Sequence, residues 1–151
     1  MDPERTCIIF RSNVMWLEAV QGVAEDLGLR LGFDDDGRFA ISMALREGIN
    51  NAIIHGNQRD ASKAVEVEFL SYEDRLEIRV RDEGRGFDRA KLPDPLDPQN
   101  LLRPSGRGVF LIKHYMDTVD LARSARRGGE IRMIKWLPGR VARDGSEPRA
   151  L

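Results

Sequence analysis

The chain has 151 residues, a length that suits one compact domain rather than two. Hydrophobic residues at 41% supply a core, and 24 Lys plus Arg against 25 Asp plus Glu leave a net charge of −1. That balance removes the broad attraction that draws a basic protein to nucleic acid or to an anionic membrane, so neither is expected as a partner.

A lone cysteine, Cys7, excludes an internal disulfide and a cysteine zinc site, and two histidines, His55 and His114, build no metal cluster by themselves. No apolar run approaches the roughly 20 residues of a membrane span. The start Met1-Asp2-Pro3-Glu4 lacks the basic-then-apolar order of a secretion signal, and a cytoplasmic location is the expectation.

Residues 6 to 11 read as a short buried strand that holds Cys7 as an inert core thiol, and Ser12 or Asn13 then offers a helix N-cap. Leu17, Val20, Ala24 and Leu27 recur at helical steps, with Gly28 as the expected stop. A second helix is predicted from Asp34 or Asp35 to His55, its acidic start favoured by the helix dipole and Gly56 its C-cap.

Residues 64 to 70 and 75 to 81 alternate apolar and charged side chains. The short link 71–74 makes them an antiparallel hairpin. From Asp88 to Pro104 the chain holds four of its seven prolines and no period, the mark of a functional or mobile insert. A helix that resumes after Gly106 and runs to about Met116 and strands near 118–123 and 130–137 follow, and 138–151 reads as a frayed tail. This order predicts one domain over 1–137, an α+β two-layer sandwich with a mixed, mostly antiparallel sheet covered on one face by helices.

Three features carry chemistry. On the second helix, Glu47, Asn51 and His55 line up at i, i+4 and i+8, flanked by the small residues Ala40, Ala44 and Gly48 that leave room for a ligand. A carboxylate there can act as a base and an amide as an oxygen ligand for Mg²⁺, although a solvated helix face gives the same spacing.

In Asp82-Glu83-Gly84-Arg85-Gly86-Phe87, strand parity turns Asp82 toward the apolar face, where it needs a donor. The amino group of a purine is one candidate; capping of nearby amides, or an Arg partner, is the other. The third segment, Ser105-Gly106-Arg107-Gly108-Val109, approaches a helix start whose free N–H groups suit phosphate, with Arg107, Lys91 and Arg103 able to add charge. Neither the Walker pattern nor the dinucleotide glycine fingerprint occurs.

Together and in this order, the three segments resemble the N box and the two glycine boxes of the GHKL ATPase superfamily. Glu47-Gly48-Ile49-Asn50-Asn51-Ala52-Ile53-Ile54-His55-Gly56-Asn57 is similar to the corresponding helix of the anti-sigma-factor serine kinases. The resemblance implies a Bergerat-type ATP-binding fold with ATP and Mg²⁺ as ligands. Glu47 is then the catalytic base, Asn51 the metal ligand and Asp82 the reader of adenine. The implied nucleotide-binding set is Asn51, His55, Asp82, Gly84, Gly86, Arg103, Ser105, Gly106, Arg107, Gly108 and Val109, with 88–105 as the lid.

The implied function is phosphorylation of a serine on a STAS anti-anti-sigma partner, or sequestration of a sigma factor, by a homodimer. Two other readings stay open: a nucleotide-gated binding module without phosphotransfer, and a structural domain that binds no nucleotide.

Overall fold

The computed structural model describes residues 2–84, 104–123 and 128–139, with side chains from residue 107 onward in the second stretch. Most of the expected lid, with Gly86, Lys91 and Arg103, and the tail beyond 139 lie outside the described residues. In chain order the elements are β1 (Glu4–Arg11), a 3₁₀ turn (Val14–Trp16), α1 (Leu17–Leu31), α2 (Asp35–Asn51), a π turn (Ala52–Gly56), β2 (Ala64–Ser71), β3 (Arg75–Arg81), α3 (Pro104–Tyr115), β4 (Thr118–Arg123) and β5 (Gly129–Trp136).

The five strands form one sheet in the order β1-β2-β3-β5-β4, and all four pairings are antiparallel. The α+β sandwich is therefore as expected, its sheet antiparallel throughout the described residues. Val65, Val67 and Phe69 of β2 and Leu76, Ile78 and Val80 of β3 are fully buried against Ile41, Leu45 and Ile49 of α2. Each such side chain contributes roughly 1.5–3 kcal/mol on leaving water, so this interface fixes where α2 lies.

Local chemistry sets the element ends. Asn13 accepts from the Met15 amide, and Asp34 caps α2 by accepting from the Gly37 amide at 2.8 Å. Two helix ends differ from expectation. α1 does not stop at Gly28; it runs to Leu31 and is closed by Gly32 at φ +96°. Gly28 is instead a packing residue, because a Cβ there would lie 3.0 Å from Cγ of Arg38, which is held by Glu25 and the Phe33 carbonyl.

Similarly, α2 ends at Asn51, and 52–56 wind as a π turn, so Gly56 is no left-handed cap. Beyond it, Gln58 and Arg59 take the left-handed conformation, at φ +52° and +59°.

The charged face of the hairpin is the sheet face opposite the helices, yet two of its carboxylates are buried: Glu68 is 5% exposed and Glu77 is 1% exposed. Arg81 pairs with Glu68 at 3.0 Å and with Glu130 at 2.6 Å, while Arg79 reaches Glu77 at 3.2 Å and Arg132 also pairs with Glu77. Long arginine stems cover the sheet and their heads neutralise the acids beneath.

Cys7 stands on this face, exposed, with its thiol donating to Glu66 at 3.2 Å. The expected core position is thus corrected. Partial burial and the Glu66 hydrogen bond raise its pKa to about 11, which keeps the thiol protonated.

Candidate functional site

Glu47 and Asn51, one helical turn apart, close the C-terminal end of α2. Glu47 is half-buried and Asn51 is buried at 8% exposure. Among the described residues the Asn51 Nδ2 has no hydrogen-bond partner, an uncommon state for a buried amide.

The helix α3 presses against it. A Cβ on Gly108 would come within 2.9 Å of Asn51 Nδ2 and 3.0 Å of its Oδ1, so only glycine lets α3 approach this amide.

α3 starts at Pro104 rather than after Gly106, which corrects the sequence expectation. Proline suits a first helical position because it has no N–H to leave unpaired. Ser105, Gly106 and Gly108 thus belong to the opening turns of α3 and not to a loop before it. Among the neighbours, Arg107 is exposed and Val109 is buried.

Asp82 directly follows β3 and is 6% exposed. Its Oδ1 accepts from the Gly84 amide at 2.8 Å and the Gly129 amide at 2.9 Å, so amide capping, one of the two alternatives in the sequence, does occur. Its Oδ2 accepts from nothing among the described residues and faces Gly56, where a Cβ would meet it at 2.2 Å. Burial raises the Asp82 pKa, and the Gly129 and Gly84 amides, then Lys63, pull it back. One oxygen is thereby fixed and the other is left to accept from a ligand.

Glycine is required around this carboxylate for steric reasons. A Cβ on Gly84 would sit 2.0 Å from the Gly56 carbonyl oxygen, and one on Gly128 only 1.6 Å from that of Asp82. The structure therefore brings Gly84 to Asp82 as expected, and it adds Gly56, Gly128 and Gly129. Gly56 carried no ligand-site signal in the sequence, because it read as a helix cap.

His55 is exposed. Partial desolvation, then Arg59, lowers its pKa and leaves it neutral near pH 7. The flanking small residues do not open room for a ligand: Ala44 is fully buried, and a Cβ on Gly48 would touch Met133 and Val80, so these positions let α2 settle on the sheet.

Sequence reasoning overlooked Asn57 as well. It is fully buried, its Nδ2 donates to Ser12 Oγ at 2.8 Å and the Ala64 carbonyl at 2.9 Å, and its Oδ1 accepts from the Glu83 amide at 2.8 Å. A buried asparagine just after a helix is the available signal.

The Asn51 amide on one helix, a glycine-bearing helix start against it and a half-capped buried acid at a strand end all lie in one stretch of the chain that a family model covers. The family model described as the histidine kinase-like ATPase domain matches residues 10–135. The chain belongs to this family.

Among relatives, the serine-protein kinase RsbW of Oceanobacillus iheyensis is 32% identical over 114 residues, 72% of this chain and 71% of that protein. RsbW of Listeria monocytogenes is 34% identical over 98 residues, 61% of this chain and 62% of the relative, slightly under two thirds of its length. The anti-sigma F factor of Oceanobacillus iheyensis is 33% identical over 100 residues, 64% of this chain and 68% of the relative. A histidine kinase-like ATPase domain uses ATP.

The residues fit a magnesium nucleotide. Among the described residues no group of three or more His, Cys, Asp or Glu side chains gathers. Magnesium takes oxygen ligands and keeps few of them from the protein when substrate phosphates are present, and the Asn51 amide oxygen would be one neutral oxygen donor of the kind it accepts.

Proposed function

We propose that this chain is an ATP-dependent protein serine kinase of a bacterial partner-switching system, acting on a STAS-type anti-anti-sigma protein and binding a sigma factor. The unpartnered buried amide of Asn51, one turn from Glu47 and under Gly108, carries this reading. The names of the relatives, serine-protein kinase and anti-sigma F factor, support it.

In this mechanism Asp82 Oδ2 accepts from the adenine amino group. The opening turn of α3 lies along the phosphates, with Gly106 and Gly108 admitting them and the free N–H groups of a helix start donating. His55, Arg103, Ser105, Arg107 and Val109 complete the nucleotide-binding set of the proposal, together with Gly84 and Gly86.

A magnesium ion held by Asn51 and the triphosphate would neutralise developing charge. Glu47 takes the proton of the partner's serine as its oxygen bonds to the γ-phosphorus; the bond from that phosphorus to the β–γ bridging oxygen breaks and ADP leaves.

A homodimer belongs to this proposal. β1 is an outer strand of the sheet, and Ile9, Val14, Met15 and Trp16 are exposed beside it, an edge that a second subunit can cover. No helix among the described residues is long and apolar enough to cross a membrane.

Labelled Mg-ATP and a neighbouring STAS protein test the kinase. One serine should take label, and Glu47→Gln should slow transfer by about 10²- to 10⁴-fold, the usual worth of a general base, while ATP affinity changes little. Binding of Mg-ATP without transfer to any neighbouring STAS protein would overturn it. The anti-sigma F factor among the relatives favours a second reading, a nucleotide-gated module that sequesters a sigma factor. Sigma-factor capture that follows ATP and ignores Glu47→Gln, with no transfer by the parent protein, would select that reading.

A further inference from the structure

The corner after β3 is held from outside the nucleotide site by a residue that does not face it. Glu83 is exposed, yet it is tied at both ends. Its amide donates to Asn57 Oδ1 at 2.8 Å, and its Oε2 accepts from the Ala64 amide at 2.6 Å.

The Ala64 peptide is thus bracketed, because its carbonyl accepts from Asn57 Nδ2 at 2.9 Å. Asn57 also donates to Ser12 Oγ, which donates to the Lys63 carbonyl at 2.8 Å. The end of β1, the start of β2, the segment after the π turn and the corner after β3 are joined through one buried amide and one carboxylate.

Asp82 sits immediately before this clamp. Its own amide donates to the Gly129 carbonyl at 3.0 Å, so the peptides on both sides of it are pinned. Only Oδ2 is then left to a ligand, and its direction follows from the backbone of 82–84. The tolerance is small: Gly84 lies against the Gly56 carbonyl, and Gly56 against Oδ2. A shift of a few tenths of an ångström at Glu83 moves the acceptor toward or away from the base.

We propose that Glu83 is a positioning residue for base recognition, acting through the Asp82–Gly84 backbone, with Asn57 as its buried anchor. The inference rests on the nucleotide-site reading above and adds to it the residue that sets preference for adenine. Among the described residues Glu83 bonds to Asn57 and Ala64 and not to Glu47 or Asn51, so it governs which base is accepted and leaves the metal-dependent part of affinity alone.

Titration calorimetry of the full chain tests this, with ATP and GTP, each with Mg²⁺ and with chelator, for the parent, Glu83→Ala and Glu83→Gln. Glu83→Ala should weaken ATP binding roughly tenfold, the worth of one charge-assisted hydrogen bond, and bring the ATP-to-GTP affinity ratio toward unity. The ratio of ATP affinities with and without Mg²⁺ should stay at the parental value. Glu83→Gln keeps an oxygen acceptor for the Ala64 amide and should restore the parental base preference.

An unchanged ATP-to-GTP ratio in Glu83→Ala overturns the proposal. So does a parallel loss of magnesium dependence, or a Gln variant no better than Ala. Hydrogen exchange on the parent protein provides an independent check: the Ala64 and Glu83 amides should be protected, and rapid exchange at both would refute the clamp. Absence of ATP binding by the parent overturns this inference and the nucleotide site together, whereas parental binding with an indifferent Glu83→Ala overturns this inference alone.

Discussion

At the scale of single residues, the site depends on what is missing from side chains as much as on what they carry. Gly108 has no Cβ to strike the Asn51 amide. Gly108→Ala should leave the fold intact but push Asn51 aside, and Mg-ATP affinity should fall about tenfold or more by calorimetry, because one charge-assisted contact is lost. Asp82 makes a second point, through pH. Its native pKa lies above the ordinary carboxylate range, burial being the cause, so the native state holds this proton where the unfolded chain has released it. Stability therefore falls as pH rises from about 4 through the raised value. Urea melts of the nucleotide-free protein over that window should show Asp82→Asn gaining on the parent as pH increases; a constant difference would refute the assignment. Both residues were readable from the sequence as candidates, Asn51 by helical spacing and Asp82 by strand parity. That Asp82 uses one oxygen to cap two amides was not readable, since Gly129 is far along the chain and is brought to it by the β3–β5 pairing.

At the scale of elements, periodicity located every helix and strand among the described residues, and the errors fell at ends and faces. Gly28 and Gly56 looked like stops because glycine commonly follows a helix. In the fold each is a place where another chain segment comes too close for a side chain, Arg38 in one case and Asp82 in the other. The alternating hairpin was legible, but alternation only separates two faces; it does not say that arginines will fold over Glu68 and Glu77 and bury them. That cover has an energetic consequence. Arg132→Ala leaves the buried Glu77 carboxylate with Arg79 alone, and chemical denaturation should register a loss on the order of 1–3 kcal/mol, the cost of an under-satisfied buried group. Replacing Arg30, whose partner Asp26 is exposed on α1, should cost under about 1 kcal/mol and serves as the control.

At the scale of the whole molecule, the proposed nucleotide site gathers the end of α2, the start of α3 and the corner after β3, elements that a single sheet and its helical layer hold in register. A ligand touching all three stabilises the domain as a unit, so Mg-ATP at about 100 times its dissociation constant should add roughly 2.7 kcal/mol and raise the melting temperature. A flat thermal profile with Mg-ATP and with Mg-ADP would instead favour a domain that binds no nucleotide. The sequence by itself determined the α+β class, the antiparallel hairpin and the three chemical segments, since these rest on local periodicity and on residue types a few positions apart. Only the tertiary structure decided that Gly108 abuts Asn51, that Asn57 and Glu83 clamp the corner beside Asp82, and that Cys7 lies on the exposed sheet face. Those facts depend on contacts between residues that are distant along the chain, and a packing surface, unlike a helical or strand period, leaves no regular spacing in the sequence to read.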